Sequence, residues 1–259
     1  MPFLKRLRKA AEIMSRGIMI KRRLPLSVGG AALYVSPESA LSYWKFKMED
    51  VHHELLEFAQ AFVREGYSAW DLGANLGVFS FAAAGLAKKA GFVLAVEPDI
   101  WLANILQCSC RLLSSRQACV RVLCVAVTDN LGISELYIAR NRSSNVLAGS
   151  NRSTEAGGAR ELQQAIHVSV DWLSEYFPAP QVMKIDVEGH EAHVLRGALK
   201  TLQKHQPFIL IEVWENNAEE VTELLHGLEY DLYDVTQSFG CCEPIPRATF
   251  STLALPRSS

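Results

Sequence analysis

The feature that most constrains the fold of this chain is a regular alternation of short apolar runs with longer amphipathic segments. Strands buried on both faces have almost continuous apolar sequences, and parallel strands require helical crossovers between them. The alternation therefore predicts a mostly parallel α/β sheet with helices on both faces. The predicted strands are Tyr67–Asp71, Phe92–Val96, Val120–Val127, Val182–Asp186 and Phe208–Val213, and the predicted helices are Leu76–Lys89, Ile100–Ser114, His190–Lys204 and Asn217–Gly227.

Two further apolar runs, Tyr230–Val235 and Thr249–Leu255, are joined by a turn-rich stretch that has no long helix. This hairpin-like ending predicts an antiparallel strand at the edge of the sheet. The whole chain has 259 residues, of which 49% are hydrophobic, enough for one sizeable core. We expect a Rossmann-like domain over residues 49–259, preceded by a basic helix and a small cap over residues 1–48.

Charge and cysteine spacing narrow the functional classes. A formal net charge of -2 argues against a nucleic-acid partner, which would require a strongly basic field. The cysteines at 108, 110, 119, 124, 241 and 242 show no CxxC spacing, so we interpret them as reduced thiols and assign no metal site. No apolar stretch approaches the roughly 20 residues needed to cross a bilayer. Together these features predict a cytoplasmic protein.

The first 23 residues carry eight basic side chains against a single acid, Glu12. An apolar stripe at helical spacing runs through Leu4, Leu7, Ala11, Met14 and Ile18. Such a helix can lie on an anionic membrane surface, or it can pack on the domain as an ordinary basic helix. Both interpretations stay open at this point.

A glycine-rich turn follows the first predicted strand and opens the next helix. Gly73 and Gly77 allow the backbone to approach a ligand closely, and the helix start offers unpaired amides. A dinucleotide fingerprint has GxGxxG, whereas this turn has GxxxG with Asp71 closing the strand. A carboxylate repels a pyrophosphate but attracts an ammonium or sulfonium group. The turn, with Ala74 and Asn75 inside it, therefore favours a positively charged cofactor.

Acidic residues follow two more strands. Glu97, with Pro98 beside it, ends the strand after the glycine turn, where a carboxylate can accept hydrogen bonds from ribose hydroxyls. Asp99 is interpreted mainly as the cap of the following helix. Further along, the segment from Val182 to Glu191 (VMKIDVEGHE) brings Asp186, Glu188 and His190 to the same predicted edge of the sheet. We expect Asp71, Gly73 and Glu97 to face one shared cavity at that edge.

At this point the turn DLGANLG and the segments VEPD, KIDVEGHE and LIEVWE resemble the FkbM family of methyltransferases, in order, from about Glu54 to Leu255. The resemblance implies a class I methyltransferase fold, S-adenosylmethionine as cofactor, and O-methylation of a hydroxyl on a glycan or a small-molecule natural product. Matching positions make Asp71, Gly73, Ala74, Asn75 and Gly77 the cofactor turn and Glu97 the ribose ligand. They also put Thr128 and Asp129 near the adenine, and Asp186 and Glu188 at the reacting centre.

Asp186 is the first candidate for orienting or deprotonating the hydroxyl, with Glu188, His190 and Glu212 as alternatives. Nothing in their spacing demands a divalent cation. The Ser-, Asn- and Gly-rich stretch from Asn141 to Arg160 is predicted to be a loop above this edge, either solvated or touching ligand through Ser143, Ser144 and Asn145. Two other functions stay open: a non-catalytic binding protein that keeps the cofactor turn, and a nicotinamide-dependent oxidoreductase.

Overall fold

A computed structural model describes residues 17–44, 48, 51–139, 142–150, 158–235 and 243–257. Among them are seven α-helices: α1 His53–Phe62, α2 Val78–Ala87, α3 Ile100–Cys110, α4 Val170–Leu173, α5 Glu191–Arg196, α6 Leu199–His205 and α7 Ala218–Gly227. The strands are β1 Ile20–Arg23, β2 Ala32–Val35, β3 Ser68–Leu72, β4 Phe92–Val96, β5 Cys119–Leu123, β6 Ala126–Thr128, β7 Gly132–Ala139, β8 Val146–Leu147, β9 Ala159–Ser169, β10 Val182–Ile185, β11 Phe208–Glu212, β12 Tyr230–Asp234 and β13 Ser251–Pro256.

The central sheet has seven strands in the order β12-β13-β11-β10-β3-β4-β5. Neighbouring strands from β5 to β11 are all parallel, and β13 is antiparallel to both β11 and β12. The predicted class I methyltransferase arrangement is confirmed, including its antiparallel C-terminal strand. Both strands of the hairpin join the sheet: β12 forms its edge, antiparallel to β13, and β13 is inserted between β12 and β11.

The core lies on both faces of this sheet. Successive residues of a strand point to opposite faces, so Ala69 of β3 joins one apolar cluster and Trp70 joins the other. The first cluster takes its helical side chains from α1, α2 and α3, and the second takes them from α4 to α7. Helices therefore cover both faces, as the apolar strands predict.

A second sheet, of order β6-β9-β7-β8, was not predicted. The predicted strand Val120–Val127 divides into β5 and β6, and the end of the predicted loop Asn141–Arg160 opens β9. Strand β9 begins with mostly polar residues, and five of the eight residues of β7 and eight of the eleven residues of β9 are exposed or partly exposed. Partly solvated strands lack the continuous apolar character by which the central strands are recognised.

The predicted helix His190–Lys204 is interrupted, giving α5 and α6. Gly197 lies at the break, where a Cβ atom would lie 2.2 Å from the carbonyl oxygen of Thr128. A glycine is required at this break because the backbone of β6's last residue occupies the space of a side chain.

The segment before α1 shares the core of the main domain. Val28, Leu33 and Val35 are fully buried in the first apolar cluster, together with Tyr43. The predicted amino-terminal helix lies outside the described residues except for its end at Gly17 and Ile18, which lie shortly before β1 and are not helical. Phe46 of the predicted cap and Cys241 and Cys242 also lie outside them. Within the described part of the chain, no helix is both long enough and apolar enough to cross a membrane.

Candidate active site

Four parallel strands, β3, β4, β10 and β11, end at one edge of the central sheet. The register aligns Leu72 with Val96 on one side and with Ile185 on the other. Since Gly73, Glu97 and Asp186 directly follow β3, β4 and β10, and Glu212 ends β11, the chemistry-bearing side chains gather at this edge. This is where ligands bind in open α/β sheets.

The turn after β3 is pressed between its neighbours. Gly73 has a φ of +78°, and a Cβ atom on it would lie 1.8 Å from the carbonyl oxygen of Asp186. The amides of Gly73 and Ala74 both donate to the carbonyl oxygen of Val96, at 2.9 Å each. Only a glycine fits this position, because the turn touches the backbone that follows β10 on one side and β4 on the other.

Glu97 is buried directly beside this turn. Its Oε2 accepts a hydrogen bond from the Asn75 amide at 2.8 Å, and its Oε1 accepts one from the Asp99 amide at 2.9 Å. Burial raises the pKa of Glu97 to about 8, although both amide donors act in the opposite direction. The carboxyl group is thus fixed in place, with further acceptor capacity on each oxygen.

A first cavity opens between Glu97 and the strand ends. It is lined on the turn side by Gly73, Asn75, Glu97 and Pro98, and on the other sides by Val96, Val125, Ala126, Val127, Leu136, Arg142, Ser143, Asn145, Leu147, Asp186, Val187, Glu188 and His190. Residues of β6, β7 and β8 form an apolar end of this cavity, and the turn forms a polar end. This division matches a ligand in which a flat ring is joined to a polar chain. We refer to this cavity as the nucleoside cavity.

The residues predicted to lie near the adenine, Thr128 and Asp129, lie outside the nucleoside cavity. Thr128 Oγ1 lies 3.2 Å from Nδ1 of His167, and Asp129 pairs with Arg196 at 3.4 Å. Neither residue lines the nucleoside cavity, whereas Val125, Ala126 and Val127 do. Strand β6 pairs with β9 of the second sheet, where Thr128 meets His167, whereas Asp129 after it meets Arg196 of α5.

Asp71 faces a second cavity and not the first, which corrects the expectation of a single cavity. This second cavity has a volume of about 430 Å³, against about 60 Å³ for the nucleoside cavity. Asn75, Ser143, Asp186 and Glu188 line both cavities, so the two are contiguous. We refer to the larger one as the polar cavity.

Lys184, to which the sequence assigned no role, lies at the base of the polar cavity. Its Nζ donates to the carbonyl oxygen of Gly73 at 2.6 Å and lies 3.4 Å from Asp71 Oδ1 and 3.2 Å from Asp186 Oδ2. Burial by itself lowers the pKa of Lys184, but the charges of Asp186 and Asp71 outweigh it and raise the pKa. The parallel register of β10 and β3 sets Lys184 opposite Asp71, so this pair follows from strand pairing.

Asp71 is held on its other side by α2. Its Oδ2 accepts hydrogen bonds from the amide and the hydroxyl of Ser80, at 3.1 and 2.6 Å. Its Oδ1 is buried, faces Lys184, and accepts no hydrogen bond from the described residues. One oxygen of this carboxylate therefore keeps acceptor capacity beside Lys184.

Backbone strain is concentrated in the walls of the polar cavity. His52, Asn75 and Glu188 line it with φ values of +67°, +52° and +56°. Non-glycine residues rarely adopt this conformation, and it persists where the surrounding structure enforces it. For Asn75 the constraint is visible: its Oδ1 accepts from the Ser39 hydroxyl at 2.7 Å while its amide is held by Glu97.

The remaining wall of the polar cavity comes from β11 and from the segment before α1. Glu212 ends β11, and burial, followed by the nearby charge of Asp186, raises its pKa well above the ordinary value. The hydroxyl of Tyr43 lies 2.9 Å from Nε2 of His52. Burial lowers the pKa of His52, so its imidazole is neutral at physiological pH.

Three other predicted residues differ in their surroundings. His190 is buried and lines the nucleoside cavity. Glu191 is tied to the fold, because it accepts from the Gly189 amide at 2.7 Å and from Asn217 Nδ2 at 2.6 Å. Gly77 lines neither cavity; a Cβ atom there would lie 2.5 Å from Leu106 Cδ2, so its place in the turn serves the packing of α2 on α3.

The segment after β7 is anchored by a buried ion network. Asp99 caps α3 through the amides of Trp101 and Leu102, as predicted, and it also binds the guanidinium of Arg142 and accepts from Asn145 Nδ2 at 2.8 Å. Arg142 pairs with Glu38 at 3.0 Å as well. Residues 142–145 are therefore fixed against the nucleoside cavity and are not a solvated loop. The polar composition of the stretch gave no signal for this contact.

The described residues suit S-adenosylmethionine. The orphaned Oδ1 of Asp71 and the buried carboxyl of Glu97 offer acceptors for an ammonium group and for hydroxyl groups, and Gly73 leaves space that a Cβ atom would fill. In the described part of the chain, no group of three or more His, Cys, Asp or Glu residues is arranged to hold a metal ion.

Comparison with known proteins gives one family match. The model of the methyltransferase FkbM domain matches residues 71–233, well over half of the chain. A curated relative, the hexuronic acid methyltransferase AglP of Haloferax volcanii, is 25% identical over 211 residues, covering 80% of this chain and 81% of the relative.

Solved structures show weaker similarity. A methyltransferase FkbM from Methylobacillus flagellatus is 17% identical with a TM-score of 0.46, covering 77% of this chain and 50% of that one, so the chain spans about half its length. A SAM-dependent O-methyltransferase from Thermotoga maritima is 13% identical with a TM-score of 0.44, covering 94% of this chain and 78% of the other. With TM-scores below 0.5, neither structure bears on the chemistry of this chain.

Proposed function

Because this chain belongs to the FkbM family of methyltransferases, we propose that it methylates a hydroxyl oxygen of a glycan or of a small-molecule natural product. Its cofactor is S-adenosylmethionine. Because the chain belongs to a methyltransferase family, the glycine turn is no longer interpreted as that of a nicotinamide-dependent oxidoreductase. The relative named a hexuronic acid methyltransferase supports a sugar-containing acceptor.

The observation that carries the proposal is the junction of the two cavities. Asp186 and Glu188 line both of them, so a group bound in one cavity meets a group bound in the other beside these two carboxylates. Methyl transfer requires such an arrangement, since donor and acceptor must be aligned at a single point. We assign the nucleoside cavity to the cofactor and the polar cavity to the acceptor.

Cofactor binding rests on the residues of the turn and its neighbours. Gly73, Asn75, Glu97 and Pro98 line the nucleoside cavity and are proposed to hold the nucleoside, with the carboxyl of Glu97 accepting from the ribose hydroxyls, whereas Ala74 lines the polar cavity. Gly77 contributes through the packing of α2. We propose that Asp71 attracts the ammonium group of the methionine part through its Oδ1, at the boundary of the polar cavity.

The cofactor supplies a methyl group that is already activated by its sulfonium, so the protein mainly aligns the acceptor. Asp186 is proposed to orient the acceptor hydroxyl, with Lys184, 3.2 Å away, holding the carboxylate in place. The proton released from the acceptor hydroxyl passes to the carboxyl groups beside it, those of Asp186 and Glu212. Glu212 suits its retention, because its raised pKa lies nearer to neutrality than that of an ordinary carboxyl. Glu188 and His190 complete the wall around the reacting oxygen.

The test separates binding from turnover. We expect Asp186→Asn to bind S-adenosylmethionine within about threefold of the wild type and to lose roughly 10² to 10⁴ in kcat. The matched control is Asp231→Asn on the outer strand β12. This aspartate lines neither cavity and pairs with Arg257 at a distance of 2.8 Å. Cofactor affinity is measured by calorimetry, and turnover by transfer of a labelled methyl group to glycan and natural-product acceptors.

Unchanged turnover in Asp186→Asn would remove this residue from the mechanism. A wild-type protein that binds the cofactor but transfers no methyl group to any acceptor would favour the non-catalytic binding protein instead. The predicted cytoplasmic location, the boundary at residue 48 and the membrane contact of the basic amino-terminal segment stay predictions.

A further inference from the structure

Two uncharged polar side chains, those of Tyr43 and His52, line the polar cavity together with its charged groups. The Tyr43 hydroxyl lies 2.9 Å from Nε2 of His52, and the centres of the two rings are 5.5 Å apart at an angle of 40° between the ring planes. Both residues precede residues 71–233, the part of the chain that the family model matches. The pair therefore belongs to the segment that this chain adds to the matched methyltransferase domain.

The contact with Tyr43 uses one of the two ring nitrogens of His52. Nδ1 makes no hydrogen bond with any described residue. Burial raises the pKa of Tyr43, so the phenol stays protonated, and its hydroxyl either donates to Nε2 or accepts from it. In a neutral imidazole one nitrogen donates and the other accepts, so Nδ1 takes the role that Nε2 leaves. A hydroxyl group of a ligand suits both cases, because it can donate and accept.

The backbone holds His52 in a conformation that non-glycine residues rarely adopt. Its φ is +67°, and it directly precedes α1. On one side Val51 is buried in the first apolar cluster, and on the other the carbonyl oxygen of His52 accepts a hydrogen bond from the Leu56 amide at 3.3 Å. Strained residues of this kind persist where the surrounding structure enforces them, and they are concentrated at ligand sites. The strain is a second observation, independent of the hydrogen bond, that connects His52 with a ligand.

The imidazole also lies near the proposed reacting centre. Burial lowers the pKa of His52, and the charges of Lys184 and Asp186 act on it as well. Asp186 and His52 line the same cavity. A molecule bound there can therefore meet Asp186 through one of its groups and His52 through another.

We propose that His52, oriented by Tyr43, binds a second hydroxyl group of the methyl acceptor while Asp186 orients the hydroxyl that is methylated. This inference rests on the proposed function and narrows its acceptor to a polyol, a molecule with at least two hydroxyl groups. Sugars and inositols belong to this class, whereas simple alcohols do not. His52 contributes to binding and takes no part in the transfer of the methyl group or the proton.

The loss of this contact should affect acceptor binding and not the chemical step. A hydrogen bond that is made equally in the ground state and the transition state contributes to KM and leaves kcat unchanged. Without it we expect acceptor KM to rise about tenfold, with kcat within about threefold of the wild type. Asp186→Asn shows the opposite pattern, because its loss is in kcat.

Two substitutions at His52 separate the proposed role from a structural one. The side-chain amide of asparagine comes close to the position of Nδ1, whereas that of glutamine comes close to the position of Nε2. His52→Asn should keep acceptor KM within about threefold of the wild type, and asparagine also tolerates a positive φ. His52→Gln keeps a partner for Tyr43 but should raise KM about tenfold. The matched control is His205→Gln at the end of α6, outside both cavities, which should behave like the wild type.

The experiment begins with five probes: methyl glucoside, methyl galactoside, methyl mannoside, myo-inositol and cyclohexanol, which has a single hydroxyl group. Labelled S-adenosylmethionine and mass spectrometry identify the best acceptor, and steady-state kinetics with it give KM and kcat for each variant. Calorimetry with S-adenosylmethionine should give the same cofactor affinity for the wild type and all three variants. A change in that affinity alone would indicate a structural role for His52 and would count against the proposal.

Monodeoxy analogues of the best acceptor then locate the second hydroxyl. With the wild type, removal of one hydroxyl other than the methylated one should reduce kcat/KM about tenfold. With His52→Gln, the same removal should reduce it by less than about twofold, since the partner of that hydroxyl is already missing.

Three results would overturn the proposal and leave the proposed function intact: a wild-type KM in His52→Gln, equal impairment of His52→Asn and His52→Gln, or cyclohexanol methylated as efficiently as the polyols. The absence of a deoxy analogue that distinguishes the wild type from His52→Gln would overturn it as well. A chain that binds S-adenosylmethionine and methylates none of the probes would also overturn it. Failure to bind S-adenosylmethionine is a different result, because it would remove the proposed function itself before any acceptor is added.

Discussion

Replacing Gly73 with alanine tests how closely the cofactor turn and the reacting centre depend on each other. Two costs arise. Alanine at a φ of +78° costs about 1–2 kcal/mol, and its Cβ would lie 1.8 Å from the carbonyl oxygen of Asp186. No rotamer relieves this contact, because both atoms belong to or adjoin the backbone. The turn and the segment after β10 must separate by more than an ångström, which adds about 1–3 kcal/mol.

Gly66 provides a matched control. Its φ is +84°, and a Cβ atom there meets nothing within 4 Å. Gly66→Ala therefore carries the conformational cost without the contact. With roughly 2–4 °C of melting temperature per kcal/mol in a chain of this size, Gly66→Ala should lower the melting temperature by about 2–8 °C. Gly73→Ala should lower it by about 4–20 °C.

Function separates the two variants more sharply than stability does. Movement of about an ångström at a reacting centre costs roughly 100-fold in rate, so Gly73→Ala should lose about that factor in turnover and at least tenfold in cofactor affinity. Gly66→Ala should keep both. The assays are differential scanning fluorimetry, calorimetric titration with S-adenosylmethionine, and labelled methyl transfer. The reasoning would be refuted if Gly73→Ala had the same melting temperature as Gly66→Ala and bound the cofactor like the wild type.

Three further predictions concern the charges and the strain of the site. Lys184→Met leaves the buried carboxylate of Asp71 and the partly buried carboxylate of Asp186 without their cation and should lower stability by about 3–5 kcal/mol in urea unfolding. Lys88→Met, in an exposed pair, should change it by less than about 0.5 kcal/mol, and equal effects would contradict the assigned role. Glu97 has a pKa of about 8 in the free protein, and ribose hydroxyls favour its ionised form, which lowers the pKa on binding. Cofactor affinity should therefore rise with pH up to about 8 and level off above it, with proton release seen as a buffer-dependent heat in calorimetry; a flat profile from pH 6 to 9 would exclude this. Glu188→Gly relieves a φ of +56° and should raise thermal stability while lowering turnover, and a loss of stability would show that the side chain holds the fold.

Much of the candidate site follows from the sequence, because each part of it is local to a strand end. An apolar run that closes on a polar or glycine residue puts that residue at the edge of a parallel sheet, as happened for Asp71, Glu97 and Asp186. The cap formed by Asp99 was predictable for the same reason, since capping depends on the next three residues only. The order of elements and the parallel core were confirmed on this basis.

Contacts over long sequence distances were not predictable in this way. Lys184 stands inside an apolar strand, and its role depends on Asp71, which lies 113 positions earlier in the chain. Only strand pairing brings these two residues side by side. Likewise, Arg142 lies in a polar stretch that reads as a loop, yet it is buried between Glu38 and Asp99. Composition reports how polar a segment is, and it carries no information on which distant charge that segment will meet.

The sequence by itself determined the sheet, the glycine turn and the set of acids at the strand ends, because periodicity and turn chemistry act over a few neighbouring residues. Only the tertiary structure decided how these acids are divided: Glu97 faces the nucleoside cavity, Asp71 faces the polar cavity beside Lys184, and Asp186 stands where the two meet. The physical reason is that the charge and protonation of a buried group depend on the groups packed around it, and packing is settled between strands that are far apart in the chain.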